Sequence, residues 1–356
     1  MKRKKRFGID VDDVLMPFNE PLLRAVDPSL SIESITSWGK IGNKAIDSRF
    51  IYADENFYRT QPVYEGAVEF IEYLANRFDL VIVTAIPLKY ASARVQRLLE
   101  VFPSLKEENI FITSRKECIH LDYLLDDGVH NLLSHEAKYT IMMRRPWNYH
   151  VTGRMSVTNY NECISLIESL QYSEDDCDTK PQIICLVGPS GSNKKALAAE
   201  LNKQNSNFVR PVSWQWNSEN FVRDPYYEYH SKEDILNAKK QGILLEHTVY
   251  AGNMYGIPKD NILDIVNKGK IATVPIDICG AMAIKHLYKD KCKVVFCNVP
   301  KEVSIRAILT EENSISCKTL RIMSLDEEYK NEIACDVAID TTDVNKATSE
   351  IISWWQ

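Results

Sequence analysis

Phe7-Gly8-Ile9-Asp10-Val11-Asp12-Asp13-Val14-Leu15-Met16-Pro17-Phe18 is the stretch on which the reading of the chain turns. Apolar residues lead into a carboxylate, one spacer and a second carboxylate. Side chains alternate along extended backbone, so Asp10 and Asp12 can face the same way at the end of a strand. Two carboxylates this close repel unless a cation or a shared proton intervenes. Their expected use is Mg²⁺ binding, with one carboxylate attacking and its neighbour moving protons. A bare Asp-x-Asp is also common in acidic loops that bind nothing, so the rest of the chain has to decide.

At 356 residues the chain has room for two domains, each able to bury its own core. Composition is that of a soluble globular protein, 45% hydrophobic and 26% charged, and no apolar run is long enough to span a bilayer. Met1-Lys2-Arg3-Lys4-Lys5-Arg6 reads as a solvated tail, because the apolar part behind it is short and is broken by Asp10. Net charge is −6 with the acidic residues spread out, so neither nucleic acid nor a membrane is an expected partner; a small anion in a local positive pocket is. Nine cysteines, without a C-x-x-C pair or a Cys/His cluster at zinc spacing, suggest reduced thiols and a cytoplasmic location. Cys185, Cys279 and Cys297 read as small core residues in strand-like runs.

After the acidic strand, residues 19–63 read as a small, mostly helical insertion. Gly66 to Ala75 has apolar residues at helical spacing, and Asp79-Leu80-Val81-Ile82-Val83-Thr84 is a short buried-strand run ending in a hydroxyl residue. Another helix is expected to about Phe102, then strands at Asn109–Thr113 and at Tyr123-Leu124-Leu125-Asp126-Asp127-Gly128. Strands alternating with helices of this length predict a parallel sheet. Ligands of such sheets sit beyond the carboxyl ends of the strands, where Asp10, Asp12, Thr84, Asp126 and Asp127 would converge with Lys116 nearby. Carboxylates for a cation, with a hydroxyl and an ammonium for phosphate oxygens, form a set suited to phosphate chemistry.

On these residues the first half resembles the haloacid dehalogenase-like (HAD) superfamily, and within it the 5′(3′)-deoxyribonucleotidases. Asp10-Val11-Asp12, Thr84, Lys116 and Leu124-Leu125-Asp126-Asp127 match its four motifs in order. Phe57 to Glu69, with Pro62, is similar to the segment leading out of that family's helical cap. The resemblance implies that Asp10 is the nucleophile and Asp12 the acid/base. It implies that Thr84 and Lys116 bind phosphoryl oxygens, and that Asp126 holds Mg²⁺ with Asp10 and the backbone carbonyl of Asp12, supported by Asp127. Phe18 falls where the family places an aromatic residue near the nucleoside. Two positions depart from the pattern: Asp13 stands where Gly is usual, and Ala85 where a hydroxyl residue is usual.

Ser173 to Pro181 turns acidic and polar and marks a boundary between a domain at 1–172 and another at 182–356. Gln182-Ile183-Ile184-Cys185-Leu186-Val187 feeds Gly188-Pro189-Ser190-Gly191-Ser192-Asn193-Lys194-Lys195 and then a helical stretch, the context of a phosphate-cradling loop. Against G-x-x-x-x-G-K-[ST], Asn193 replaces a Gly and Lys195 replaces the hydroxyl that would reach Mg²⁺, while Lys194 remains.

Downstream, Leu244-Leu245-Glu246-His247, Tyr255-Gly256-Ile257-Pro258 and Val274-Pro275-Ile276-Asp277 resemble guanylate kinase. The resemblance places Tyr227, Glu246, Tyr255 and Asp277 in a nucleotide-acceptor site, beside Gly188, Gly191 and Lys194 of the loop. Asn217 and Asn220 stand where its arginines are expected, and Ile257 where a hydroxyl would meet the base; Arg223, Arg306 and Arg321 are candidates to compensate. Trp214, Trp216 and the Tyr226/Tyr227/Tyr229 cluster either line a remodelled pocket or are half-buried surface aromatics.

The expected architecture is therefore α/β in two domains: a HAD-like parallel sheet with a small helical cap, and a P-loop, guanylate-kinase-like domain. The expected function is Mg²⁺-dependent hydrolysis of a (deoxy)nucleoside monophosphate, fused to a non-catalytic module that takes a nucleotide. A bifunctional nucleotide or nucleic-acid-end kinase/phosphatase and a nucleotide-sensing protein without turnover stay open beside it. A divergent kinase or a protein-binding role likewise stays open for the second half.

Overall fold

The computed structural model describes residues 3–37, 40–41, 44–45, 47–172, 180–216, 224–250 and 253–354. The opening strand runs from Arg6 to Ile9 and lies at the centre of a six-stranded sheet. It pairs in parallel with Asp79–Thr84 on one side and Tyr123–Asp126 on the other. Ile110–Ile112 continues the sheet beyond the first, and Tyr139–Met143 with Ser156–Val157 beyond the second, all parallel. The last two strands are not among the sequence expectations. Strands covered on both faces read as continuous apolar runs, and Phe7, Ile9, Ile82, Val83, Leu124 and Leu125 are all fully buried.

The crossover helices follow from their spacing. In Ala67–Arg77 the buried residues are Ala67, Phe70, Ile71 and Leu74, one stripe at i, i+3, i+4 and i+7. Each of the large ones contributes about 1.5–3 kcal/mol on burial. Gly66 precedes the helix with φ of 79°, a left-handed entry that glycine adopts without steric cost. The next crossover helix, Ala91–Val101, buries Ala93, Arg94 and Leu98, so a guanidinium sits in its inward stripe.

Among the described residues the insertion after the first strand is mostly helical, with 3₁₀ turns at Ile32–Ser34 and Asp47–Tyr52, and it adds short strands that are not among the sequence expectations. It holds one helix of two turns at Asn19–Val26 and a shorter one at Glu55–Thr60. Between them lie three short antiparallel strands, Ile35–Ser37, Lys40–Ile41 and Lys44–Ala45. Strands of two or three residues are too short to show an alternation, so helical composition dominates the sequence signal there.

The chain packs as two units, one of Met1–Tyr149 with Ser156–Cys163, the other of His150–Met155 with Ile164–Gln356. Residues 150–155 and 164–172, which precede the acidic stretch at 173–181, thus pack with the second unit. Asn331 Nδ2 donates to Gly153 O at 2.8 Å, Arg154 pairs with Glu327, and Ser169 Oγ donates to Met282 O at 2.9 Å. Most of the expected linker, residues 173–179, lies outside the described residues, as do Met1 and Lys2 of the basic tail.

The second unit is built on five parallel strands in the order Phe208–Val209, Ile271–Pro275, Ile183–Val187, Cys292–Asn298, Val337–Asp340. A four-stranded mixed sheet carries Tyr227–Tyr229, Ser213–Trp216, Asn253–Pro258 and Leu244–Tyr250. Cys185 and Cys297 are fully buried in core strands as expected. Cys279 is not in a strand; it lies, half-buried, in the helix Ile278–Tyr288, whose run of apolar residues resembles a strand when read without its Asp277 cap. Among the described residues no helix is long and apolar enough to cross a membrane.

Candidate functional site

The parallel pairing of the first sheet sets three strand ends side by side, and each delivers a polar group. Asp10 follows Ile9 and is fixed by its own N–H, which donates to Leu125 O at 3.0 Å. Its neighbours are Thr84 at the end of one flanking strand and Asp126 at the end of the other. Lys116 Nζ lies 2.8 Å from Asp10 Oδ1 and 2.7 Å from Asp126 Oδ2, and all three side chains are almost wholly buried. Burial disfavours the ammonium, but Asp10 and Asp126 more than offset this and hold its pKa above the ordinary range.

Asp10, Asp126 and Asp127 each offer an oxygen, and these oxygens lie within 4.8 Å of one another. Were all three ionised, Lys116 would neutralise one of the three charges. Burial raises the Asp10 carboxyl to about 7, with Lys116 opposing the rise and Asp126 and Asp12 adding to it. Asp127 is pushed well above the carboxylate range, again first by burial and then by Asp126 and Asp10. Asp126 is held by Gly128 N at 2.7 Å and by Asn131 Nδ2 at 3.0 Å. Asp127 Oδ2 accepts from Trp147 Nε1 at 2.9 Å, while its Oδ1 is buried with no hydrogen-bond partner among the described residues. Thr84 Oγ1 is likewise buried without a partner among the described residues. Orphaned buried oxygens beside excess negative charge are what a bound cation and a bound oxyanion would satisfy.

Asp12 stands apart from the three carboxylates. Its Oδ1 accepts from Arg94 Nη2 at 2.6 Å and from Gln61 Nε2 at 3.0 Å. Its side chain is thus not one of the clustered metal ligands. Asp13 occupies the left-handed region at φ 57°, which accounts for glycine in the related pattern. Its buried carboxylate accepts from Phe18 N at 2.9 Å and Asn19 N at 3.1 Å, capping the helix Asn19–Val26. Burial raises this carboxyl to about 6. Phe18, positioned by that cap, packs among Phe50, Phe57 and Tyr58 with ring centroids 5.7–6.5 Å away. Ala85 is exposed.

In the second unit the glycines of the loop are held in positive-φ backbone packed against neighbouring main chain. Gly188 and Gly191 have φ of 149° and 81°, and a Cβ on them would fall 2.4 Å from Cys297 O and 2.8 Å from Ser304 O. Asn193 takes φ of 60°, so a residue tolerant of left-handed backbone stands in for the missing glycine, tied by Nδ2 to Thr341 O at 2.9 Å. Lys194 Nζ donates to Gly188 O at 2.6 Å and Pro189 O at 2.7 Å, and burial lowers its pKa. Lys195 reaches away from the loop to Asp224 Oδ2 at 3.4 Å, over the ring of Tyr227 at 4.7 Å.

Tyr227 and Tyr255 lie together, centroids 5.9 Å apart, and burial raises the Tyr255 phenol. Asp277 caps its helix by accepting from Gly280 N at 3.0 Å. Arg321 Nε donates to Ser190 Oγ at 3.2 Å and the guanidinium pairs with Glu311, whereas Arg306 is exposed. Trp214 stacks on His230 at 3.8 Å. The side chain of Glu246 and residues Asn217, Asn220 and Arg223 lie outside the described residues.

Sequence reasoning missed Arg94, Gln61, Asn131 and Trp147 in the first unit and Arg210 in the second. Arg210 is buried 4.3 Å from the Tyr226 ring and 5.4 Å from that of Tyr227. For Arg94 a signal existed, a charge at i of an i, i+4, i+7 stripe completed by Leu98 and Val101.

Residues 7–172 match the family model described as 5′ nucleotidase, deoxy (pyrimidine), cytosolic type C protein, and residues 180–355 match that of guanylate kinase. A guanylate kinase of Wolinella succinogenes is 29% identical over 179 residues, which is 49% of this chain and 83% of that protein. One from Clostridium tetani is 34% identical over 31% of this chain and 54% of its own length. The 5′(3′)-deoxyribonucleotidase of Bacillus subtilis is 27% identical over 45% of this chain and 96% of its own length. The chain thus joins a HAD-like segment similar to the deoxy type C 5′-nucleotidases to a segment similar to guanylate kinase.

Proposed function

We propose that the first unit is a Mg²⁺-dependent phosphomonoesterase acting on (deoxy)nucleoside 5′-monophosphates. The observation that carries the reading is the set at three adjacent strand ends: clustered carboxylates, one buried ammonium and the unpartnered hydroxyl of Thr84. Fully ionised, three buried carboxylates with one ammonium would leave negative charge uncompensated, which fits a divalent cation held by Asp10, Asp126 and Asp127. When bound, Mg²⁺ would offset phosphate charge and polarise the phosphoryl group.

Asp10 attacks phosphorus, the bond to the nucleoside oxygen breaks, and the phosphoryl group passes to the Asp10 carboxylate. Asp12, protonated at the start, gives its proton to the leaving alkoxide, then takes one from the water that cleaves the aspartyl-phosphate, releasing inorganic phosphate and returning Asp10 to its carboxylate and Asp12 to its acid form. Lys116 and Thr84 bind the phosphoryl oxygens, and burial of the set excludes competing water. Phe18 and its aromatic neighbours offer the nucleoside an apolar face. Asp10→Asn is expected to abolish phosphate release while the melting transition persists; full residual activity would sink the assignment.

For the second unit the reading is a nucleotide-binding module without turnover, because Lys195 stands where a hydroxyl would reach Mg²⁺ and is turned toward Asp224. A second reading, a divergent kinase, is favoured by one observation, the loop geometry kept by Asn193 with Lys194 inside it. Formation of nucleoside diphosphate from monophosphate and ATP, lost on Lys194→Ala, separates the two.

A further inference from the structure

Asp12 is gripped by two donors from different parts of the first unit, and both take the same oxygen. Arg94 Nη2 lies 2.6 Å and Gln61 Nε2 3.0 Å from Oδ1, while Oδ2 accepts no hydrogen bond among the described residues. Arg94 and Gln61 are both fully buried. Gln61 is itself braced: Nε2 also donates to Pro17 O at 3.1 Å, and Arg97 Nε donates to Gln61 O at 3.1 Å. Arg94 stacks its guanidinium over the Tyr58 ring at 4.9 Å, and its Nε and Nη1 have no hydrogen-bond partners among the described residues.

Such an arrangement is costly for the fold. Removing a guanidinium from water costs several kcal/mol, and a well-packed apolar residue at this helix position would avoid that cost. Two unmet donors add to it. Stability alone therefore gives no reason for Arg94, whereas the geometry at Asp12 does. A carboxylate that moves protons needs one oxygen aimed and the other restrained, and two donors converging on Oδ1 stop the rotation that would exchange the two oxygens.

We propose that Arg94 and Gln61 are positioning residues that fix the Asp12 carboxylate, so that Oδ2 is the oxygen that protonates the leaving alkoxide and activates water. This rests on the reading of Asp12 as acid/base. It extends that reading by naming which oxygen works and which residues aim it.

The test uses the full chain with Arg94→Met, Gln61→Met, Asp12→Asn and their pairwise combinations. Two substrates are compared with Mg²⁺ present: a deoxynucleoside monophosphate, whose alkoxide needs a proton to leave, and p-nitrophenyl phosphate, whose phenolate does not. Arg94→Met should lower kcat on the nucleotide about 10- to 100-fold, within the range general acid–base catalysis supplies, with KM little changed. The first-turnover burst of nitrophenolate should survive. Arg94→Met with Asp12→Asn should be no slower than Asp12→Asn alone, because both remove the same function. Effects that multiply, or a burst slowed as much as nucleotide turnover in a protein that still melts cooperatively, would overturn the proposal. Gln61→Met, which removes a neutral donor, carries the same comparison should Arg94→Met fail to fold. A wild-type chain with no Asp10-dependent phosphate release overturns the nucleotidase reading itself, and that outcome is read before any Arg94 variant.

Discussion

Trp147 donates its indole N–H to Asp127 Oδ2 at 2.9 Å, while its ring packs with Leu23 and Ile35 of the insertion. One residue thus links the apolar cluster beneath the cap to a carboxylate of the acidic group. The next residue adds to the hold, since Asn148 Nδ2 donates to Asp127 O at 3.0 Å. Outer partners of this kind orient the oxygens that a metal uses.

Trp147→Phe keeps the ring and removes the donor. Its Mg²⁺ affinity, titrated calorimetrically, should weaken about tenfold with little change in the melting temperature of the metal-free protein. Leu23→Ala should do the reverse, costing about 2–5 kcal/mol of stability while leaving metal affinity of the folded protein near normal. Equal losses of affinity in both variants would mean that Trp147 acts only through packing.

Asp10 and Asp127 both have folded-state pKa values raised above those of an unfolded chain, chiefly by burial. At these two groups the native state binds more protons than the unfolded one, so their contribution to stability falls as pH rises. For Asp10 that loss develops between its ordinary value of 3.8 and about 7. Melting temperatures in EDTA should decline across that interval relative to those of Asp127→Asn, and Mg²⁺ should restore the loss at neutral pH. A metal-free protein whose stability rises from pH 5 to 7, with Asp127→Asn making no difference, would contradict the charge balance described for the site.

Asp13 combines left-handed backbone with a capping carboxylate, and two substitutions separate these roles. Asp13→Gly relieves the backbone but frees the start of the helix that carries Phe18, so KM for the nucleotide should rise more than kcat falls. Asp13→Ala loses the cap and keeps the strain, and should melt below Asp13→Gly by about 1 kcal/mol or more. Identical melting of the two variants would show that φ at this position is not constrained.

Asn193→Gly should leave the second unit as stable as before to within about 1 kcal/mol, since glycine accepts the same φ. Asn193→Val should destabilise it clearly, a β-branched residue being unable to hold that conformation. Chemical denaturation followed by tryptophan fluorescence distinguishes them, and a Val variant as stable as wild type would refute the left-handed turn.

The parts of the site legible in the sequence share one property: they close apolar runs. Asp10, Thr84 and Asp126 end strands whose buried residues announce them, and parallel pairing brings those ends together. The residues that orient them do not announce themselves. Arg94 and Gln61 meet Asp12 from 82 and 49 positions away, and a local pattern contains no such pairing. The short strands of the insertion were hidden for another reason, being stabilised by antiparallel neighbours rather than by a periodicity of their own. In the second unit, the substitution at Asn193 looks damaging as a pattern mismatch and is mild in the backbone, because what the position requires is a positive φ.

The central claim is that Asp10 takes up a phosphoryl group. The most direct measurement is release of inorganic phosphate from a panel of deoxyribonucleoside monophosphates with Mg²⁺, for the wild-type chain and for Asp10→Asn, without ATP. The account predicts release by the wild type, with an acid-stable phosphorylated Asp10 in rapidly quenched samples, and none by a folded Asp10→Asn. Phosphate release that survives Asp10→Asn would contradict it.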